Sequence, residues 1–176
     1  EQAMTSAIMN LTDSNPISVV FLEGFGSNGR TDSSNLESIL TNNGYLVSSI
    51  NFLSEDIPED ADAVLLCSPT SDLTSELADK LALWLENEGE FGHTLLYFAD
   101  GSQPSLPVLE GVLSEWGIGV ESGFLAETDA SHVYSNYTYL LAEFADNDFV
   151  DSYDKPVILP NAKALSALWD VDSNRY

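Results

Sequence analysis

Basic residues are nearly missing from this chain. Its 176 residues hold 5 Lys and Arg against 29 Asp and Glu, a net charge of −24. Phosphate backbones are neutralised by Lys and Arg, so this composition excludes a nucleic-acid partner. Adsorption to an anionic lipid surface is disfavoured for the same reason. Charged residues total only 19%, below the usual quarter, so the acidity comes from absent bases as much as from added acids. Such a balance suits solubility in a salty or extracellular medium. Cysteine is equally scarce. Cys67 stands alone, which excludes an internal disulfide and any multi-cysteine zinc or iron–sulfur site. Long apolar runs are lacking too: stretches such as Ala63 to Cys67 and Leu95 to Ala99 are as long as any, far short of the ~18 residues that span a bilayer. No signal peptide is visible. The chain opens at Glu1 and closes on Ser173-Asn174-Arg175-Tyr176, which reads as a fragment cut from a longer protein.

What is present is core material. Hydrophobic residues make up 44% and aromatics 10%, too rich for intrinsic disorder. A chain of this length fits one domain, or one domain with an arm. Residues 3–11 space Met4, Ala7, Ile8 and Leu11 as an amphipathic helix. Ile17 to Leu22 is a nearly continuous apolar run, the mark of a strand buried on both faces. A glycine-rich loop follows, and then a helix with Leu36, Ile39 and Leu40 inward, Ser34 and Glu37 as its capping box and Asn43-Gly44 as its stop. Tyr45 to Phe52 and Ala63 to Cys67 read as strands, with no helix in the polar 54–60 segment between them. Thr74 caps a helix whose Leu77, Leu81, Trp84 and Leu85 form one apolar stripe, with Gly89 as its C-terminal glycine. Thr94 to Ala99 is a fourth strand, and Leu106, Leu109, Leu113 and Trp116 make a helix ending at Gly117. A fifth strand is expected over 118–126, a helical turn over Leu140 to Phe144, and a short strand at Val157-Ile158-Leu159.

Strands that alternate with helices predict a three-layer α/β domain with a mainly parallel sheet. Right-handed crossovers favour the flavodoxin-like strand order 2-1-3-4-5. The expected division is an N-terminal helix packing on the domain over 1–16, the α/β domain over 17–165, and a polar tail over 166–176.

Gly24, Gly26 and Gly29 spell G-x-G-x-x-G after the first strand. In a dinucleotide site those glycines admit a pyrophosphate to the next helix's N-terminus. Here the helix cap comes several residues later. Asn51 and Phe52 also stand where an acid should hold the ribose, so a plain glycine-rich turn is the better reading and no cofactor is expected. Cys67 ends a strand in Leu66-Cys67-Ser68-Pro69 without the flanking glycines of a nucleophile elbow; it reads as a buried, inert strand cysteine. Two histidines could serve as a base. His93 borders a strand, and His132, in Asp129-Ala130-Ser131-His132, is the better candidate. Asp170-Val171-Asp172-Ser173-Asn174 starts like a calcium loop but meets Arg175 where glycine is required. The acids at 146, 148, 151 and 154 have no fixed ligand pattern, so solvated faces are the default and no metal is expected. Asn10-Leu11-Thr12 and Asn136-Tyr137-Thr138 match glycan acceptors, a pattern common by chance.

A longer string of features is more specific. Thr5-Ser6-Ala7-Ile8 precedes the first strand and its glycine loop. Ile57-Pro58-Glu59-Asp60-Ala61-Asp62 follows, then Ser68-Pro69-Thr70-Ser71-Asp72-Leu73-Thr74, and later Trp116-Gly117-Ile118 ahead of Gly123 and Glu127. Over about residues 2–165 this resembles the extracytoplasmic domain of the GldG-type auxiliary proteins of ABC transporters, the gliding-motility-associated family. The resemblance implies a fold similar to class I glutamine amidotransferases without their catalytic cysteine. It also implies anchoring to a bacterial cell membrane through segments outside this chain, an extracytoplasmic location, and transporter membrane or ATPase subunits as partners. Where the family often has Gly-His-Gly-Glu, this chain has Gly24-Phe25-Gly26-Ser27, which removes two groups able to bind a ligand or do chemistry.

The expected function is therefore a non-catalytic domain for partner interaction or ligand sensing. The alternative is an amidotransferase-like hydrolase using Cys67 or a serine with His132. Ligands of open parallel sheets gather outside the strands' carboxyl ends, at the switch in strand order. That places the working surface on Gly24, Phe25, Gly26 and Ser27 on one side and Pro69, Thr70 and Asp72 on the other. Asp100, Glu127 and His132 are expected on the same edge. Phe25, bulky and apolar between two glycines, needs something to pack on. If exposed it would suit a partner; if buried it packs on its own domain.

Overall fold

A computed structural model describes residues 15–26, 33–143 and 155–169. The expected helix over 3–11, Ser27 and Gly29, the acids at 146–154 and the 170–174 segment lie outside the described residues. The chain divides into two compact units. The first takes residues up to Phe98 together with Pro104–Val112, and the second Ala99–Gln103 and Leu113 onward.

The first unit is built on a four-stranded parallel sheet in the order β2-β1-β3-β4. Its strands are β1 (Ser18–Glu23), β2 (Leu46–Asn51), β3 (Ala63–Cys67) and β4 (Thr94–Phe98). Phe21 pairs with Ser49 on one side and Leu65 on the other, and Leu65 pairs with Leu96. The continuous apolar runs follow from this order: β1 and β3 are central, and Val19 to Leu22 and Val64 to Leu66 are all buried. On one face Val19, Phe21, Ala63 and Leu65 pack with Leu36 and Leu40 of α1 (Ser34–Asn42) and with Tyr45, Val47 and Cys67, whereas Ile39, expected inward, is exposed. In α2 (Ser75–Glu86) the i, i+4 spacing of Leu77, Leu81 and Leu85 yields a buried stripe. Thr74 caps it as expected, its hydroxyl accepting the Leu77 N–H at 3.3 Å.

Three local expectations are corrected here. The N-cap of α1 is Ser33, one residue ahead of the expected Ser34, and its side chain makes no cap hydrogen bond. The residue that ends α2 in the left-handed region is Asn87, with Gly89 lying in the following 3₁₀ turn. The third helix, α3, begins one residue after Leu106 and spans Pro107–Glu115.

The second unit carries two antiparallel pairs. Strand β5 (Ile118–Val120) pairs with β8 (Leu165–Ala167), and β6 (Tyr139–Ala142) with β7 (Val157–Pro160). The fifth strand thus stops at Val120 and takes an antiparallel partner, where a parallel strand over 118–126 was expected. The helical turn expected at Leu140 to Phe144 is strand β6, because Leu140 and Leu141 face Leu159 and Ile158 across a ladder. Lys163 is 8% exposed, its ammonium donating to the Gln103 carbonyl at 3.0 Å.

Candidate functional site

The loops after β1 and β3 meet, as the strand order requires. Gly24 and Gly26 take φ of +110° and +74°, a region that L side chains rarely adopt. A Cβ on Gly24 would also stand 2.7 Å from Asn51 Oδ1, and one on Gly26 would overlap the Thr70 hydroxyl. These glycines turn the chain tightly enough to drive Phe25 inward. Phe25 is 1% exposed and meets the Phe52 ring edge-on, centroids 6.2 Å apart. Exposure, the condition under which Phe25 would serve a partner, is not met. Its carbonyl accepts the N–H groups of Thr70 and Ser71 at 2.8 and 3.0 Å and the Thr70 hydroxyl at 3.3 Å. Pro69 is buried, and Thr70 is exposed.

Asp72 acts at a distance along the chain. Its carboxylate accepts the N–H groups of Val108 at 2.8 Å and Leu109 at 3.0 Å, the second and third residues of α3, and of Leu73 at 2.9 Å. The residue ahead of α3 is Leu106, whose side chain has no acceptor, so Asp72 supplies the cap from 36 residues upstream. Glu110 adds the reciprocal bond, accepting the Leu106 N–H at 2.8 Å. Cys67 is half-buried and accepts a hydrogen bond from the Ser33 hydroxyl at 3.6 Å. Burial pushes its thiol pKa up, and the Ser33 hydroxyl pulls it partly back. The strained residue in the turn after β3 is its neighbour, Ser68, with φ +43°. Nothing in Leu66-Cys67-Ser68-Pro69 announces that conformation.

The remaining expected residues belong to the second unit. Asp100 Oδ1 accepts the Ser102 N–H at 2.8 Å and, at short range, the Ser102 hydroxyl. Glu127 Oε1 accepts the N–H groups of Thr128 at 2.7 Å and Asp129 at 2.9 Å. The Asp129 and Thr128 amides hold its carboxyl below the ordinary value. Asp129 is lowered likewise, first by the Ser131 N–H and then by the Ser131 hydroxyl. That hydroxyl donates to Asp129 Oδ1 at 2.7 Å, while His132 Nδ1 lies 3.8 Å from Asp129 Oδ2 with its side chain 60% exposed. A hydrolytic triad needs the imidazole between hydroxyl and carboxylate; here the carboxylate is between the other two. Among the described residues no cluster of His, Cys, Asp or Glu is placed to hold a metal ion.

A recess that the sequence did not signal lies in the first unit. Phe52, Asp56 and Ile57 from the connection after β2, with Lys80, Leu83 and Trp84 from α2, line a cleft of about 230 Å³. Its one base, Lys80, donates to Asp56 at 2.8 Å and lies 3.9 Å from Glu76. The hydrogen bond to Asp56 raises the Lys80 pKa. Residues 4 apart on a helix share a face, so Lys80 and Trp84 were readable as neighbours; the opposite wall was not. Among the described residues no helix is long and apolar enough to cross a membrane.

No family model matches the chain, and no curated protein matches it. A solved structure titled "mmIFT52 N-terminal domain" is similar to it with a TM-score of 0.63, covering 85% of this chain and 68% of that one at 14% identity. At that identity the likeness speaks for architecture alone. With the parallel order β2-β1-β3-β4 and its flanking helices, it places the chain in the α/β class.

Proposed function

We propose that the chain is a non-catalytic partner-interaction or ligand-sensing domain of a membrane-anchored ABC transporter auxiliary, on the extracytoplasmic face of a bacterial membrane. The resemblance to the GldG-type family supports this reading, as does the acidity suited to a salty medium. One observation carries the non-catalytic part. Polar groups in and beside the expected site are engaged by the fold itself: the Phe25 carbonyl by Thr70 and Ser71, Asp72 by α3, and Ser131, next to His132, by Asp129. Within the α/β class, the same reading assigns a flavodoxin-like sheet similar to class I glutamine amidotransferases, with which the order of the first four strands is consistent. The full-length protein, tagged and solubilised in mild detergent, should co-purify with ABC membrane or ATPase subunits encoded alongside it. Recovery without them, after cross-linking in intact cells, would overturn the proposal.

The strained backbone of Ser68 favours the hydrolase alternative, since nucleophiles sit on such turns. A fluorophosphonate probe tests the serine form of that alternative: labelling lost in Ser68→Ala would select the hydrolase, and absence of labelling would remove Ser68 as its nucleophile.

A further inference from the structure

The cleft beside α2 combines a fixed aromatic wall with a mouth that nothing described covers. Leu83 stands in it 67% exposed. Behind Trp84 the His93 ring stacks at 4.2 Å and 8°, and His93 Nδ1 donates to the Trp84 carbonyl at 2.6 Å. Trp84 is therefore held by His93 through both its ring and its backbone carbonyl. It also carries a buried indole N–H with no acceptor among the described residues, a donor that folded proteins normally pair.

The two segments that wall this cleft carry acids almost alone. Glu55, Asp56, Glu59 and Asp60 on the 52–60 connection, and Glu76, Asp79 and Glu86 on α2, are all exposed. Lys80 is the sole base on either segment, and it is engaged with Asp56 and Glu76. An apolar centre inside a charged rim is the anatomy of a protein-docking hot spot, and the sign of the rim selects the partner. A second copy of this chain would bring a further −24 and be repelled. A volume of about 230 Å³ is below that of sites for drug-sized ligands, and it suits one large side chain.

We infer that this cleft is a docking socket for a basic partner segment, which inserts one Leu- or Phe-sized side chain beside Trp84 and sets flanking Arg or Lys residues against the carboxylates of the rim. The inference rests on the partner-interaction reading and names its surface and the chemistry of its partner.

The test is a titration of the ¹⁵N-labelled chain with three blocked tripeptides, Arg-Leu-Arg, Arg-Ala-Arg and Glu-Leu-Glu. It follows the Trp84 indole N–H signal, assigned from its loss in Trp84→Phe. Arg-Leu-Arg should shift that signal saturably, and raising the salt about tenfold should weaken the response several-fold. Arg-Ala-Arg should bind at least about fivefold more weakly, and Glu-Leu-Glu should leave the signal in place. Leu83→Asp, an exposed position where folding is retained, should weaken Arg-Leu-Arg about tenfold. No shift with Arg-Leu-Arg, an equal response to Glu-Leu-Glu, or indifference to the Leu-to-Ala change in the peptide would each overturn the socket. The titration needs no transporter, so its failure leaves the co-purification result, and with it the interaction reading, untouched.

Discussion

Replacing Asp72 with alanine separates a loop that serves the fold from one that serves a ligand. Two helical N–H groups, of Val108 and Leu109, would lose their acceptor, as would that of Leu73. Leu106 cannot take over, because its side chain has no oxygen. Loss of a helix cap costs about 0.5–2 kcal/mol. Removing an anion from a helix N-terminus adds roughly 0.3–1 kcal/mol. Both donors are partly buried, so water replaces the carboxylate poorly, and a total of about 2–3 kcal/mol follows. In a chain of this length each kcal/mol moves Tm by roughly 2–4 °C, so calorimetry should record a fall of about 5–10 °C. Asp72→Asn keeps one oxygen and gives up the charge, for about half that loss. Thr74→Ala, which removes the local cap of α2, is a built-in comparison at about 1 kcal/mol. A fall below about 2 °C for Asp72→Ala would refute the capping role and return Asp72 to the ligand candidates.

Phe25→Ala opens a cavity in the core and should cost about 3–5 kcal/mol in urea unfolding; a loss below about 1 kcal/mol would contradict its packing on Phe52. Cys67 should react slowly with Ellman's reagent in the native protein and fast once unfolded, since burial holds the thiol protonated; equal rates would refute this. In NMR titrations Glu127 and Asp129 should both show midpoints below the ordinary carboxylate values, and Ser131→Ala should move Asp129 back up. A depressed folded pKa means that the stability they contribute is fully present above the unfolded value. It is lost only as pH falls through the folded one, so the 127–132 turn should loosen in acid alone.

How far the sequence discloses this fold depends on how local each determinant is. Val19 to Leu22 and Val64 to Leu66 are apolar without alternation because both strands are central, and that is visible in the strands themselves. Thr74 and the Leu77, Leu81, Leu85 stripe lie within twelve residues of one another and define α2. Tyr139 to Ala142 is different: four apolar residues fit either a helical turn or a strand, and Val157–Pro160, well downstream, decides. The same holds for the expected site. That Phe25 must pack on something is readable from its setting, but the identity of Phe52 as its neighbour is not. Asp72 looks like an ordinary loop acid until α3 arrives at its carboxylate. The cleft was hidden for the same reason, since its two walls meet only in the folded chain.

The order β2-β1-β3-β4 also sets a timetable for synthesis. Strand β1 leaves the ribosome first, yet Leu65, which pairs with Phe21, is made 44 residues later. At about 5–20 residues per second that interval lasts roughly 2–9 s. Strand β2 reaches β1 sooner, Ser49 following Phe21 by 28 residues, and can shield one edge. The other edge of Val19-Val20-Phe21-Leu22 stays open until β3 is made. A ribosome pause placed inside this interval should therefore raise chaperone dependence more than a pause after Cys67.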